Sequence, residues 1–534
     1  MDKPSLLQLC AKYTLSMSIL GMSTTAFAAS TEIKTLQNQI NQLQKQVNKL
    51  ATSKISTNHL SDSNSHAYFE HKPGTDLTFY TPGGEITGYG KLDVSIDAMT
   101  KNIGSKPFFD GVYPLGNWGW MPDISSNLSY LGVRGFQHLG CYPFNFIYQL
   151  EAGIRLSSTP GTVETNNNQS NIVDSALFSR QTFIGFGSSK WGAIKIGKTQ
   201  SPYYYATVAL NPFAGEIGDY RVMMGNVGGD NRVEYGSVFL SHSLWYESPN
   251  INGFTFNFLF SPGQNRAKNS NNIPAGEPDC SSINSPESGA NFPVTCDDGS
   301  FRNVVSTSLT YQNGPLFLSG AFEYHQQSNR QVDISVIYGI TAFPFPNDYA
   351  QNLFDKDIGD ETASKIAVMY QFPTKTTLGG IVEYMHRSLP NYLEFQNERQ
   401  RFGTWLLLSQ EINDHSSIYF GWGHAFRSPG DPGNFQNSTL ITVDGAGVYG
   451  PNKNAANLYT IAFKHMLSKN LTWYVDWAET VNEFSGHYDL GAGGRSVHTD
   501  CHDASGASGG LVSTPRCWTG QKLMGVSTGL QWVF

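Results

Sequence analysis

The chain has no long apolar run. Beyond its first thirty residues, no stretch of the 534 approaches the roughly 20 apolar residues that a membrane-spanning helix requires. A mean hydropathy of -0.31 is too polar for a helical membrane protein. A basic excess is missing too: the formal net charge of -8 gives nucleic-acid binding no electrostatic footing. Catalytic signatures lack their context as well. No H-E-x-x-H pattern occurs, and the G-x-S-x-G strings at 506–510 and 525–529 and the G-x-x-x-x-G-K-T string at 192–199 fall within a long connection or along strand stretches, not at the strand-to-helix turn their chemistry needs. Ser241 and His242, neighbours in a strand, point to opposite faces and cannot serve as nucleophile and base. The expectation is a protein that is not an enzyme, needs no cofactor and binds no nucleic acid.

What the chain does have is alternation. In 523–534, LMGVSTGLQWVF, the residues Met524, Val526, Thr528, Leu530, Trp532 and Phe534 share one face of a strand, and Gly525, Ser527, Gly529, Gln531 and Val533 share the other. One face is large and apolar, the other mostly small or polar. A barrel wall between lipid and a lumen requires this pattern, and it spans with strands of about 10 residues. From residue 86 onward sixteen strands can be marked. They lie near 86–98, 127–138, 144–156, 177–187, 192–198, 239–247, 253–261, 301–313, 315–326, 362–372, 376–388, 401–413, 415–427, 455–467, 469–482 and 521–534. Short connections, such as 140–143, 188–190, 313–315 and 468–470, alternate with long ones, such as 262–300, 327–361 and 483–520. That rhythm belongs to an even-stranded barrel with both ends on one side. The expected fold is all-β: a 16-stranded antiparallel transmembrane β-barrel over 86–534, with a short N-terminal coiled-coil helix ahead of it.

Three segments precede the barrel. Residues 1–29 form a secretory signal peptide, with an apolar run over 13–22 and an A-x-A cleavage site at Ala26-Phe27-Ala28. Within 30–51, Ile33, Leu36, Ile40, Leu43, Val47 and Leu50 repeat at alternating spacings of three and four, the heptad pattern of a coiled coil about 27 Å long. A lone amphipathic helix is the alternative for so short a repeat. Residues 52–85, rich in Ser, Asn, His and Pro, read as a linker.

A family can now be named. YGKLDV at 89–94, LGVRGFQHLG at 131–140, FIYQLEAG at 146–153, FSRQTFIGF at 178–186, WGAIKIGKTQSP at 191–202, YESPNINGF at 246–254 and LSKNLTWY at 467–474 resemble, in order, the general Gram-negative porins. The resemblance runs from about residue 88 to 534. It implies an outer-membrane location, with outer-membrane lipid around a homotrimer and the helix in the periplasm. It also implies a water-filled pore for small hydrophilic solutes and ions, narrowed by a third outer loop, about 199–238, that folds inward. On that loop Glu216, Asp219, Asp230 and Glu234 would face a basic wall of Lys91, Arg134 and Arg180, to which strand parity adds Arg155. Parity places Lys91 with Asp93, Ser95 and Asp97, opposite Leu92, Val94 and Ile96. An Arg on the lipid side at mid-membrane would cost about 2–4 kcal/mol, which favours the lumen for all four.

The heptad extension is similar to that of coiled-coil porins linked to siderophore uptake. A substrate-specific uptake barrel for ferric siderophores is therefore a second reading. A structural anchor contacting the cell wall through the coil is a third. Export permits disulfides. Cys280 with Cys296, and Cys501 with Cys517, would each close a small loop at about 3 kcal/mol in the chain-entropy model. Cys141 is left as a free thiol or an inter-subunit link. His498, Asp500, His502 and Asp503 surround Cys501, yet the paired spacing of a structural zinc site is missing, so no metal is expected.

Overall fold

A computed structural model describes residues 77–102, 117–154, 177–224, 239–262, 303–329, 358–388, 400–427, 455–483 and 522–534, apart from a few positions inside these ranges. It also describes 106–108, 111–113, 441–443, 446–448 and the single residues Leu156, Tyr235, Tyr488 and Leu490. The chain divides into two units. Met1–Asp62 with Leu139–Pro143 form one, described only at the turn; Ser63–His138 with Phe144–Phe534 form the other. The signal peptide, the heptad segment, most of the linker and all six cysteines lie outside the described residues.

Eighteen strand segments join one antiparallel sheet that closes on itself, with Lys522–Val533 paired to Gly84–Asn102. Two wall positions are each shared by two segments, which leaves a closed 16-stranded barrel. Alternation drives it. In Ile358–Gln371, for example, Ile366, Val368 and Tyr370 are exposed on the outside, while Ala363, Lys365, Ala367 and Met369 are buried on the inside. The last strand behaves alike: Val526, Leu530 and Trp532 lie exposed, and Leu523 and Ser527 are buried. An apolar outer face this extensive suits hydrocarbon, not water. At one end tight turns join the strands. Gly314 adopts φ 55° between Asn303–Asn313 and Leu316–Asn329, a left-handed conformation that glycine enters without steric cost.

Two departures from the sequence reading stand out. The second wall strand is longer than 127–138. It consists of Asn117–Ser126 and Tyr130–His138, both paired with Gly84–Asn102 and separated by an irregularity at Asn127, Leu128 and Ser129. The end of the supposed linker is also a strand. Thr78–Thr81 pairs with Gly84 to Thr87. The reason lies in the closing seam: Lys522–Val533 reaches only as far as Lys91, which would leave the far end of the first wall strand unpaired. Phe534 bonds Gly90 in both directions at 2.9 and 3.0 Å, and Leu77 then takes over, accepting from the Gly88 N–H at 3.0 Å. A bare edge is thereby covered.

Candidate pore constriction

The segment after Gly192–Thr199 turns into the barrel instead of away from it. Ser201 caps a one-turn helix, Pro202–Tyr205, with its hydroxyl accepting from the Tyr204 N–H. Short 3-10 turns follow at Val208–Leu210 and Tyr220–Val222. Inward-facing wall residues hold this loop at successive points. Tyr203 takes a backbone bond to Ser306 Oγ at 3.0 Å and donates to Glu383 Oε2 at 2.6 Å. Lys365 Nζ donates to Thr207 Oγ1 at 2.7 Å, and Trp405 Nε1 donates to the Leu210 carbonyl at 2.9 Å. Trp405 also packs against Phe213 and Tyr220, and Arg401 donates to the Met223 carbonyl on the return leg. Leu210, Phe213, Ile217 and Met223 are wholly buried as a result. The loop therefore lines the inner wall from Asn303–Asn313 round to Ala456–Met466, with its tip near 213–219.

At the tip, Glu216 is buried and accepts from Lys464 Nζ at 2.7 and 2.8 Å, while the same ammonium donates to the Pro212 carbonyl at 2.6 Å. Asp219 is buried too. It accepts from Asn211 Nδ2 at 2.8 Å, the Gly215 N–H at 3.1 Å, the Arg221 N–H at 3.0 Å and Arg221 Nε at 2.9 Å. Burial alone would raise its pKa, but Arg221 and the donated N–H groups outweigh that and hold it below the usual carboxylate range. Both acids thus fasten the loop.

The early strands supply the opposite side. Lys91 pairs with Asp93 at 3.3 Å. Arg134 lies over the Tyr89 ring, 4.9 Å from its centroid, and has no ion pair among the described residues. Arg180 pairs with Glu151 at 2.7 Å and covers Tyr130 at 4.9 Å. A bulge aims it: Leu150 registers with Thr182 but Ala152 with Ser179, so Arg180 and Gln181 together face Glu151. Arg155, Asp230 and Glu234 lie outside the described residues, as do Cys280, Cys296, Cys501 and Cys517 and the His498 cluster.

The sequence model of the Gram-negative porin family matches residues 85–485, three quarters of the chain. The chain belongs to the Gram-negative porin family. An outer membrane porin protein of Bordetella pertussis is 26% identical over 306 residues, which are 57% of this chain and 66% of that protein, just under two thirds of its length. Among solved structures, the anion-selective porin from Comamonas acidovorans is alike in fold, with a TM-score of 0.53 at 14% identity over 84% of this chain and 100% of that one. This porin resides in the outer membrane of a Gram-negative bacterium.

One electrostatic arrangement recurs in the porin's lumen. In the pairs Lys91–Asp93, Arg180–Glu151, Arg221–Asp219 and Lys464–Glu216, the cation side chain keeps 12–19% exposure and the acid only 0–6%. In these four the positive end meets the water and the negative end is turned into protein; Lys195–Glu247 reverses the order at 0% and 12%, and Arg401–Glu383 hides both ends. The loop fasteners Lys365, Arg401, Trp405 and Lys464 were not anticipated. Their signal was present: each is a basic or aromatic residue at an inward position of a late strand.

Proposed function

We propose that this porin passes small hydrophilic solutes and ions by passive diffusion and favours anions over cations of the same size. The observation that carries the reading is the exposure of the cation in four of the lumen's ion pairs, against one, Lys195–Glu247, in which the acid is the exposed partner, with Arg134 added as a cation with no ion pair among the described residues. A permeating anion meets these cations before their carboxylates, so the local potential favours it. No bond is made or broken in such passage. The likeness in fold to an anion-selective porin agrees with the direction.

The working unit is proposed to be a homotrimer, as in the porins the sequence resembles. Residues 30–51 would project as a periplasmic coil, with cell-wall contact as its role, and the loop cysteines would pair as Cys280–Cys296 and Cys501–Cys517. The deciding experiment is a reversal-potential measurement in planar bilayers across a potassium chloride gradient. A potential of the sign set by chloride supports the reading. A cation-selective potential removes the selectivity claim, and an absence of conductance removes the pore.

A further inference from the structure

The irregularity in the second wall strand is a one-residue bulge. Val94 registers with Ser126 and Lys91 with Tyr130, so Leu92 and Asp93 face three residues, Asn127, Leu128 and Ser129. The outer two are clamped. Asn127 Nδ2 donates to Ser95 Oγ at 2.9 Å and Tyr474 Oη at 2.8 Å. Ser129 Oγ accepts from the Asp93 N–H at 2.9 Å and donates to the Asp93 carbonyl at 3.1 Å. Between these clamps Leu128 is forced to φ 54°. That is the left-handed region, which costs a residue with a Cβ about 1–2 kcal/mol and which Gly or Asn occupies far more readily.

A leucine in this place is therefore a costly choice for the backbone, and its side chain is not used to fill a core. It is 36% exposed. It stands on the lumen side, against the tip of the inward loop: a Cβ placed on Gly215 would come 2.9 Å from Leu128 Cγ and Cδ1. Gly215 itself has φ 84° and donates its N–H to Asp219. The tip is already held by Lys464 and Trp405. Leu128 meets it from the second wall strand, two residues from Tyr130, which carries Arg180 on its ring.

We propose that Leu128 is an apolar lip of the constriction and sets its size limit. It extends the loop tip toward the early strands and offers water no hydrogen bond along that seam. Hydrated solutes are thereby confined to the remaining, cation-lined part of the lumen. The proposal rests on the pore reading above, and it assigns a specificity-determining role to a residue that carries no charge.

The test is Leu128→Asn in the full-length porin, beside Leu128→Phe and the wild type. Asn tolerates the left-handed backbone and removes the apolar bulk, so the folded barrel should resist heat at least as well as the wild type. Expected are a higher open-channel conductance and, in liposome swelling, entry of neutral sugars one size class larger; Phe should move both readings the other way. Unchanged conductance and sugar limit in both variants would overturn the proposal. So would an unaltered open level with added flicker, which would make Leu128 only a fastener of the loop. A wild type that does not conduct would instead defeat the pore reading itself.

Discussion

Replacing Lys464 with Met should free the tip of the inward loop without unfolding the barrel. The ammonium makes three bonds to the loop, two to Glu216 and one to the Pro212 carbonyl, and Glu216 is 1% exposed. Removing the cation leaves a carboxylate buried without its partner, a change that costs about 3–5 kcal/mol. The barrel need not bear that cost, because its ladder of backbone bonds is independent of Lys464; the loop can escape it by lifting Glu216 into water. What opposes release is the burial of Phe213 against Trp405 and of Ile217 beside Gly525, and the Gly218 N–H bond to the Leu490 carbonyl at 2.8 Å. Fully burying two such side chains is worth roughly 3–6 kcal/mol, comparable with the penalty. The docked and lifted states should then become similarly populated. Single-channel recordings should show two conductance levels exchanging in Lys464→Met where the wild type shows one, with the heat-induced unfolding of the barrel shifted little. Adding Glu216→Leu should restore the single level, since an apolar pair of similar size often substitutes for a buried ion pair without loss. A quiet, wild-type trace from Lys464→Met alone would refute the view that this pair holds the loop.

Three other outcomes are expected. Arg134→Gln should lower the anion-to-cation permeability ratio by about fivefold at 0.1 M salt, which corresponds to about 1 kcal/mol. At 1 M, where the Debye length is about 3 Å, the change should fall below about twofold; equal changes at both salts would point to altered shape instead of charge. The lowered pKa of Asp219 means that its hold on the loop is fully present above the usual carboxylate pKa of about 4 and is lost as pH falls through its own lower value. Channel traces should therefore be steady from pH 7 to 5 and become noisy only below about pH 4. Asp219→Asn should be noisy already at pH 7. Finally, Trp405→Ala should weaken loop docking by about 3–5 kcal/mol, given the contacts to Phe213 and Tyr220 and the bond to Leu210, and should be read as faster proteolysis within 199–238 with the barrel core left intact.

By itself the sequence determined the barrel. Period-two alternation is a property of near neighbours, imposed by one strand having two different solvents, so the stretches near 86–98, 376–388 and 521–534 could be read one at a time and recur in the structure within a few residues as Gly84–Asn102, Thr376–Ser388 and Lys522–Val533. The inward sense of Lys91 and Arg134 followed from the same parity. Tertiary structure alone decided what disturbs parity or acts across the lumen. The bulges at Leu128 and Arg180 insert a residue, and nothing within one strand shows how its neighbour is registered. Thr78–Thr81 became a strand because the closing strand stops short of the edge it must cover. Glu216 and Asp219 look, in sequence, like any exposed loop acids. That Glu216 is buried follows from Lys464, 248 residues away, an encounter that only the closed wall and the folded loop create.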